Sequence, residues 1–173
     1  MELTDGDLTL RSPTASDADA VADAVSASLE LLKPWMPWAN ERYDRTAAMD
    51  WISGKVEPGA VPFMMLDGTG RVIGSTGLNG IDNLNASANL GYWLRADATG
   101  FGYATRAVRL VAAYGFEQME LHRVEILMSV ENEPSRRVAE RAGATYEGIL
   151  RGRLLLEGRH HDVHSYAIIN GDL

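Results

Sequence analysis

The chain has 173 residues, a net charge of −8 and an apolar fraction of 46%. That length supports one domain with one core, and the apolar share is that of a globular protein rather than a disordered chain. There is no cysteine, which excludes disulfides, a protein thiolate nucleophile and a Cys-based zinc site, while the acidic balance argues against general nucleic-acid binding.

No apolar run approaches the length of a membrane span, so no membrane association is expected. Residues 1–7 are polar and acidic, unlike a signal peptide, and a cytoplasmic protein is expected. The charge is uneven. Residues 1–94 carry 6 Lys/Arg against 13 Asp/Glu, and residues 95–173 carry 10 Arg against 11 Asp/Glu. The second part suits a polyanionic ligand better. The first either steers a basic partner or is simply a solvated acidic face.

In chain order, residues 8–11 alternate as a short strand. Ser16 and Asp19 have the spacing of a capping box. They open a helix that carries Val21, Ala24, Val25, Ser28, Leu29 and Leu32, which Lys33 and Pro34 end. Two prolines keep residues 34–38 out of regular helix. Trp35 and Trp38 on that rigid loop either wall a pocket or plug the edge of the core. A second helix is expected over residues 45–56. Residues 61–66 and 71–81 form a hairpin around Asp67-Gly68-Thr69-Gly70, followed by a strand over residues 86–94. After a central helix, residues 122–130 form a strand, with His122 at its start expected to pack. Asn132 caps the next helix, Pro134 sits in its first turn and Gly143 ends it. Residues 145–156 and 159–169 make a final hairpin. His160, Asp162 and His164 share a face there, but with no third strong ligand nearby no metal site is expected. This order predicts a mixed α/β sheet covered on both faces.

The organising stretch is residues 89–116. A buried strand breaks at residues 95–99, and Gly100 and Gly102 flank Phe101 before a helix with Ala104, Val108, Val111 and Ala112 on one face. A strand feeding a Gly-turn into a helix N-terminus offers free N–H groups to an anion. A diphosphate at residues 99–105 is therefore expected. A dinucleotide fingerprint would need a third glycine where Thr105 stands, and no Gly-Lys-Ser/Thr follows, so neither nucleotide motif is met.

The run Thr99, Gly100, Phe101, Gly102, Tyr103, Ala104 resembles motif A of the GNAT acyl-CoA transferases, Gln/Arg-x-x-Gly-x-Gly/Ala, except at its first position. LKPWMPW, LHRVEI, NEPSRRVAERAGA and the tail YEGILRG…GRHHDVHSYAI stand around it in family order. Over nearly the whole chain the sequence resembles the RimJ/RimL type, the ribosomal-protein N-terminal acetyltransferases. The resemblance implies one GNAT domain over residues 1–173. Its sheet would have about seven strands, splayed central parallel strands and helices on both faces.

The resemblance also implies acetyl-CoA as co-substrate, with no metal. The cofactor would lie along Trp93 and Leu94, on Thr99, Gly100, Phe101, Gly102, Tyr103, Ala104 and Thr105, and against Asn132 and Ser135. Ser135, with Asn132 beside it, matches the family serine that protonates the departing thiolate. Without that pattern, Ser135 reads as a first-turn residue bonding its own backbone. The acceptor amine would meet Trp35, Trp38, Asn89 and Tyr92. It would be a small molecule or a peptide, a ribosomal-protein N-terminus included, and a homodimer fits the family.

Four departures bear on mechanism. Thr99 and Phe101 replace residues that often bring charge or polarity to the diphosphate, and Asn89 and Leu154 replace acids that serve relatives as general base. An α-amine is roughly one-tenth neutral at pH 7, a lysine amine only about 0.04%. The missing acids therefore favour an α-amine acceptor, with Glu147 or a backbone carbonyl as a remaining water-linked base. The alternative is a non-catalytic module that senses CoA or binds a protein partner.

Overall fold

A computed structural model describes residues 2–173. Met1, the first residue of the polar N-terminal segment, lies outside the described residues. Eight strands form one sheet: β1 (Glu2–Asp5), β2 (Leu8–Arg11), β3 (Val61–Leu66), β4 (Val72–Asp82), β5 (Ser87–Leu94), β6 (Arg123–Ser129), β7 (Thr145–Leu156) and β8 (Arg159–Ile169). Their order is β1-β2-β3-β4-β5-β6-β8-β7. Every neighbouring pair is antiparallel except β5 and β6. The strand beyond the expected seven is β1, an edge strand with mostly exposed, polar residues. A strand with no buried face leaves no alternation to read.

The helices are α1 (Ala18–Ser26), α2 (Leu29–Leu32), α3 (Arg45–Ile52), α4 (Tyr103–Gln118) and α5 (Glu133–Ala142). Two cores result. Leu10, Phe63, Leu78, Leu90, Val124 and Ile168 meet Val108, Val111 and Ala139 of α4 and α5. On the other face, Met64, Val72 and Trp93 meet Val21, Val25 and Ala48 of α1 and α3. Helices thus cover both faces, as the element order implied.

Four local expectations change. The single helix after residue 19 is two helices, broken at Ala27 and Ser28. The buried Ser28 hydroxyl accepts the Ala96 N–H at 2.9 Å, and this bond to a distant segment takes the place of helix continuity. The capping interaction belongs to Thr14 and Asp17, not Ser16 and Asp19. The Thr14 N–H donates to the Asp17 carboxylate at 2.7 Å, and Arg11 of β2 holds the same carboxylate at 2.7 and 2.8 Å. The second helix stops at Ile52, because Gly54 turns left-handed at φ +74°. His122 is exposed rather than packed; its backbone N–H ties it to the Ala86 carbonyl at 2.7 Å. No helix among the described residues is long and apolar enough to cross a membrane.

Candidate active site

The sheet opens at its centre. β5 and β6 pair only from Ser87, Ala88 and Asn89 to Arg123, Val124 and Glu125. Beyond that β5 runs on to Leu94 and β6 to Ser129, unpaired with each other. Arg95 donates its N–H to Ile73 of β4 at 2.7 Å, and the antiparallel register puts Trp93, Gly91 and Asn89 in the same phase. The amides of Leu90, Tyr92 and Leu94 therefore face the gap, where β6 no longer meets them. Preorganised backbone donors of this kind are what a developing oxyanion needs.

The gap is a cleft of about 190 Å³ lined by Trp35, Gly91, Tyr92, Ser129, Asn132, Ser135 and Leu154, among others. Asn132 caps α5 by accepting the Ser135 N–H at 3.2 Å. The Tyr92 hydroxyl lies 2.8 Å from Ser135 Oγ and donates to the Ser135 carbonyl at 3.1 Å. Burial pushes the Tyr92 phenol up to about 12, against the opposing pull of the Ser135 bond. Tyr92, Ser135 and Asn132 thus come together in one cleft. The sequence paired Ser135 with Asn132 but left Tyr92 on the acceptor side.

A second cavity of about 480 Å³ shares Met36, Gly91 and Tyr92 with the cleft and is lined by Val21 of α1 and by Ala47, Asp50 and Trp51 of α3. Its walls include Met36, Trp38, Tyr43, Trp51, Asp50 and Glu57. Trp38 sits 5.4 Å from the Tyr43 ring and 5.9 Å from Trp93. The two tryptophans of the Pro34–Trp38 segment therefore serve different spaces: Trp35 the cleft, Trp38 the larger cavity. Trp93 points its indole into the core, 9% exposed, and its register partner is Ser75 of β4. Tyr43, Trp51, Asp50 and Glu57 were not singled out in the sequence; two aromatics in an otherwise polar segment were the only signal.

The Gly-turn precedes α4. Gly100 has φ +86° and Gly102 φ +80°, and a Cβ built on either meets nothing within 4 Å. These glycines are needed for the backbone itself as well as for open approach. The first helical bond runs from Arg106 N–H to the Gly102 carbonyl at 3.1 Å, leaving the amides of Tyr103, Ala104 and Thr105 ahead of it. Thr99 turns its hydroxyl to the Ala96 carbonyl at 2.9 Å, and Phe101 is exposed. Arg106 is held by Asp7 at 2.7 Å and lies 5.0 Å from the Tyr103 ring; that guanidinium, then the Tyr103 hydroxyl, lowers the Asp7 pKa. This open, amide-lined cradle fits a diphosphate.

The acids are placed less simply. Asn89 donates from Nδ2 to Asn79 Oδ1 at 2.9 Å, and its own Oδ1 is buried without a partner. Glu125 is the register partner of Asn89 on β6, but Arg123 holds it at 2.9 and 3.0 Å. Arg123 also grips Glu147 and lowers its pKa, which makes Glu147 a poor proton acceptor. His160 contacts the Gly152 carbonyl, Asp162 accepts the Gly152 N–H at 2.8 Å, and His164 lies against Tyr146. His160 and Asp162 are thus each engaged with Gly152, whereas His164 Nδ1 is buried without a hydrogen-bond partner.

The acetyltransferase (GNAT) domain family matches residues 7–145. The chain belongs to the GNAT acetyltransferase family. Its relatives include proteins of the RimJ/RimL type. The Bacillus subtilis protein YdaF, whose name proposes a ribosomal N-acetyltransferase, is 32% identical over 94% of this chain and 91% of its own length. The ribosomal-protein-serine acetyltransferase of Escherichia coli is 34% identical over 57% of this chain and 55% of its own. The solved structure of Mycobacterium smegmatis RimJ in complex with CoA-disulfide has a TM-score of 0.87 at 29% identity, covering 96% of this chain and 83% of that one. The splayed β5–β6 pair of this GNAT chain is the arrangement that the sequence resemblance implied.

Proposed function

We propose that the protein transfers an acetyl group from acetyl-CoA to an α-amino group by direct attack in a ternary complex. The observation that carries this reading is the meeting of the two cavities at Gly91 and Tyr92, beside unpaired β5 amides. One cavity suits the thioester arm and the other the amine, and Met36, Gly91 and Tyr92 line both. The amides of Tyr103, Ala104 and Thr105 hold the diphosphate behind the Gly-turn. The amides of Leu90, Tyr92 and Leu94 stabilise the oxyanion. Ser135, bonded to the Tyr92 hydroxyl, returns a proton to the thiolate.

The acceptor side is walled by Trp38, Tyr43 and Trp51 and rimmed by Asp50 and Glu57. That lining favours an amine carrying an apolar group and a positive charge. A peptide N-terminus meets both needs, and the names of the relatives support a ribosomal-protein N-terminus among the acceptors. An amino-acid derivative or an aminoacyl nucleotide fits the same chemistry. The reading treats residues 1–173 as one acyltransferase domain, needs no metal and places the work in the cytoplasm. A homodimer is compatible with it, since every group named comes from one chain.

The second reading, a CoA-sensing module without turnover, is favoured by one observation: Asn89, where the sequence resemblance implies an acid, is instead bonded to Asn79. Release of CoA thiol with a panel of dipeptide and single-residue α-amines, beside CoA calorimetry, separates the two. Turnover on any α-amine supports the transferase. Tight CoA binding with no turnover on the whole panel supports the sensor.

A further inference from the structure

We propose that the Asn79 side-chain amide selects the acceptor by donating a hydrogen bond to the carbonyl next to the reacting α-amine, so that α-aminoacyl compounds are accepted over alkylamines. The proposal rests on the transferase reading and names the group that chooses its substrate. β4 and β5 supply that group. Their register sets Asn79 opposite Asn89, Gly77 opposite Gly91 and Ser75 opposite Trp93. Directly opposed residues share a face of the sheet, and alternation keeps these pairs on one side. Trp93 packs there with Val21, Val25 and Ala48, while the intervening Leu78 and Leu90 enter the core against α4. Asn79 lines the larger cavity together with Ser75, Gly77, Gly91 and Trp93.

Asn79 stands where the acceptor must arrive. Gly91 lines both cavities. A Cβ built on Gly91 would have one neighbour within 4 Å beyond the adjoining residues, Asn79 Nδ2 at 3.7 Å. The bare face of Gly91 is thus open except for that amide. The ladder with β5 is regular up to Asn79 and shifts between Asn79 and Asp82, where Gly80 has φ +56°. Irregularities of this kind re-aim side chains beside a site.

Asn89 fixes which end of the amide faces the junction. Its Nδ2 donates to Asn79 Oδ1 at 2.9 Å, which turns Asn79 Nδ2 toward Gly91. Among the described residues Asn79 Nδ2 has no acceptor of its own. Asn89 leaves its own Oδ1 buried without a partner, a cost that holding its neighbour offsets. Asn89 is thus a positioning residue, and Asn79 the one that meets the ligand. An amide NH₂ only donates. It cannot take a proton from an ammonium, but it suits a carbonyl oxygen. A peptide N-terminus, an amino-acid amide and an aminoacyl ester all carry that oxygen beside the α-amine. A lysine side chain and a polyamine carry none beside theirs.

The test compares a dipeptide with its trans-alkene isostere, in which a carbon–carbon double bond replaces the peptide bond and the carbonyl is gone. Calorimetry on the CoA-bound protein gives Kd, and CoA-thiol release gives kcat/KM, both expressed per neutral amine. One neutral hydrogen bond should favour the dipeptide by about tenfold in the wild type. Asn79→Ala should cut that ratio to about twofold by raising the dipeptide KM, with kcat and the acetyl-CoA KM changed little. Asn79→Asp should reverse it, because a carboxylate offers no donor and repels a carbonyl oxygen. Asn89→Ala should lower the ratio as well, since the Asn79 amide is then free to turn. Equal wild-type affinity for dipeptide and isostere overturns the proposal, and that comparison needs no variant. An unchanged ratio in folded Asn79→Ala overturns it too. Affinities that discriminate through Asn79, with no turnover of either compound, would support the contact while overturning the transferase reading.

Discussion

The two cavities that meet at Gly91 and Tyr92 are built from different materials. The cleft between β5 and β6, with the turn below it, is made largely of backbone: amides released where the strands part, and amides ahead of the first bond of α4. The larger cavity, lined in part by α1 and α3, is made of side chains from separate segments: Met36 and Trp38, Tyr43, Asp50 and Trp51, then Glu57. In the proposed reaction the backbone donors would bind what every acyl-CoA shares, and the side chains would decide which amine enters. The cofactor side should therefore respond to changes of backbone conformation, and the acceptor side to single side-chain truncations.

The largest effect is expected at Gly102. At φ +80° a β-branched residue is strained whatever space surrounds it. Gly102→Val should lower the melting temperature and raise the acetyl-CoA Kd by more than tenfold. Gly102→Asn separates strain from approach, because Asn tolerates this conformation better. It should recover most of the stability while the Kd stays raised several-fold. Wild-type binding in Gly102→Asn would show that the glycine serves only the turn.

The two tryptophans sharpen the contrast. Trp38→Ala should raise the acceptor KM by about tenfold and change the acetyl-CoA KM by less than about twofold. Trp35→Ala, on the cleft, should show the reverse pattern. Equal effects on both constants in either variant would break the division into two cavities. A smaller effect is expected at the hydroxyl pair. Ser135→Ala and Tyr92→Phe should each slow kcat by about tenfold or less, since a thiol of ordinary pKa near 8.5 leaves readily. Complete loss in a folded Ser135→Ala would make proton return the dominant barrier.

The contrast also explains what the sequence revealed. The cofactor side is local: Gly100, Gly102 and α4 are contiguous, and Asn132 and Ser135 stand one turn apart, so spacing exposes them. The final hairpin was legible for the same reason, with Glu157-Gly158 between two apolar runs. The acceptor cavity is assembled by tertiary contacts among Trp38, Tyr43 and Trp93, which carry no common spacing. The Ser129–His161 contact spans 32 residues and crosses two strands that are antiparallel neighbours only in space. The break at Ser28 was hidden because its cause, the Ala96 N–H, lies 68 residues away. Asp17 was missed as a cap because Ser16 and Asp19 offered the same spacing nearby, and only the partner from β2 distinguishes them.

Asp17 should have the smallest effect on turnover, and it tests whether the acceptor cavity depends on its roof. The carboxylate fastens the start of α1 to β2, and Val21 of α1 lines the cavity. The Arg11 hydrogen bonds, chiefly, hold the Asp17 pKa at about 2, below the ordinary 3.8. Because the folded value is depressed, the stabilisation is fully present above the unfolded pKa and is lost as pH falls from about 4 to about 2. A shift of this size corresponds to about 2 kcal/mol. Asp17→Asn should therefore lower stability by about that amount at pH 7 and flatten its decline between pH 4 and 2, read by denaturant midpoints at pH 7, 4 and 3. The acetyl-CoA KM should not move, because no backbone group of the cleft depends on this pair. The acceptor KM at pH 7 should rise by about twofold at most, since Val25 and Ala48 still pack α1 against α3. A much larger rise in the acceptor KM would mean that the roof is positioned by its first turn rather than by its buried face. An equal rise for acetyl-CoA would mean that the two cavities are mechanically one.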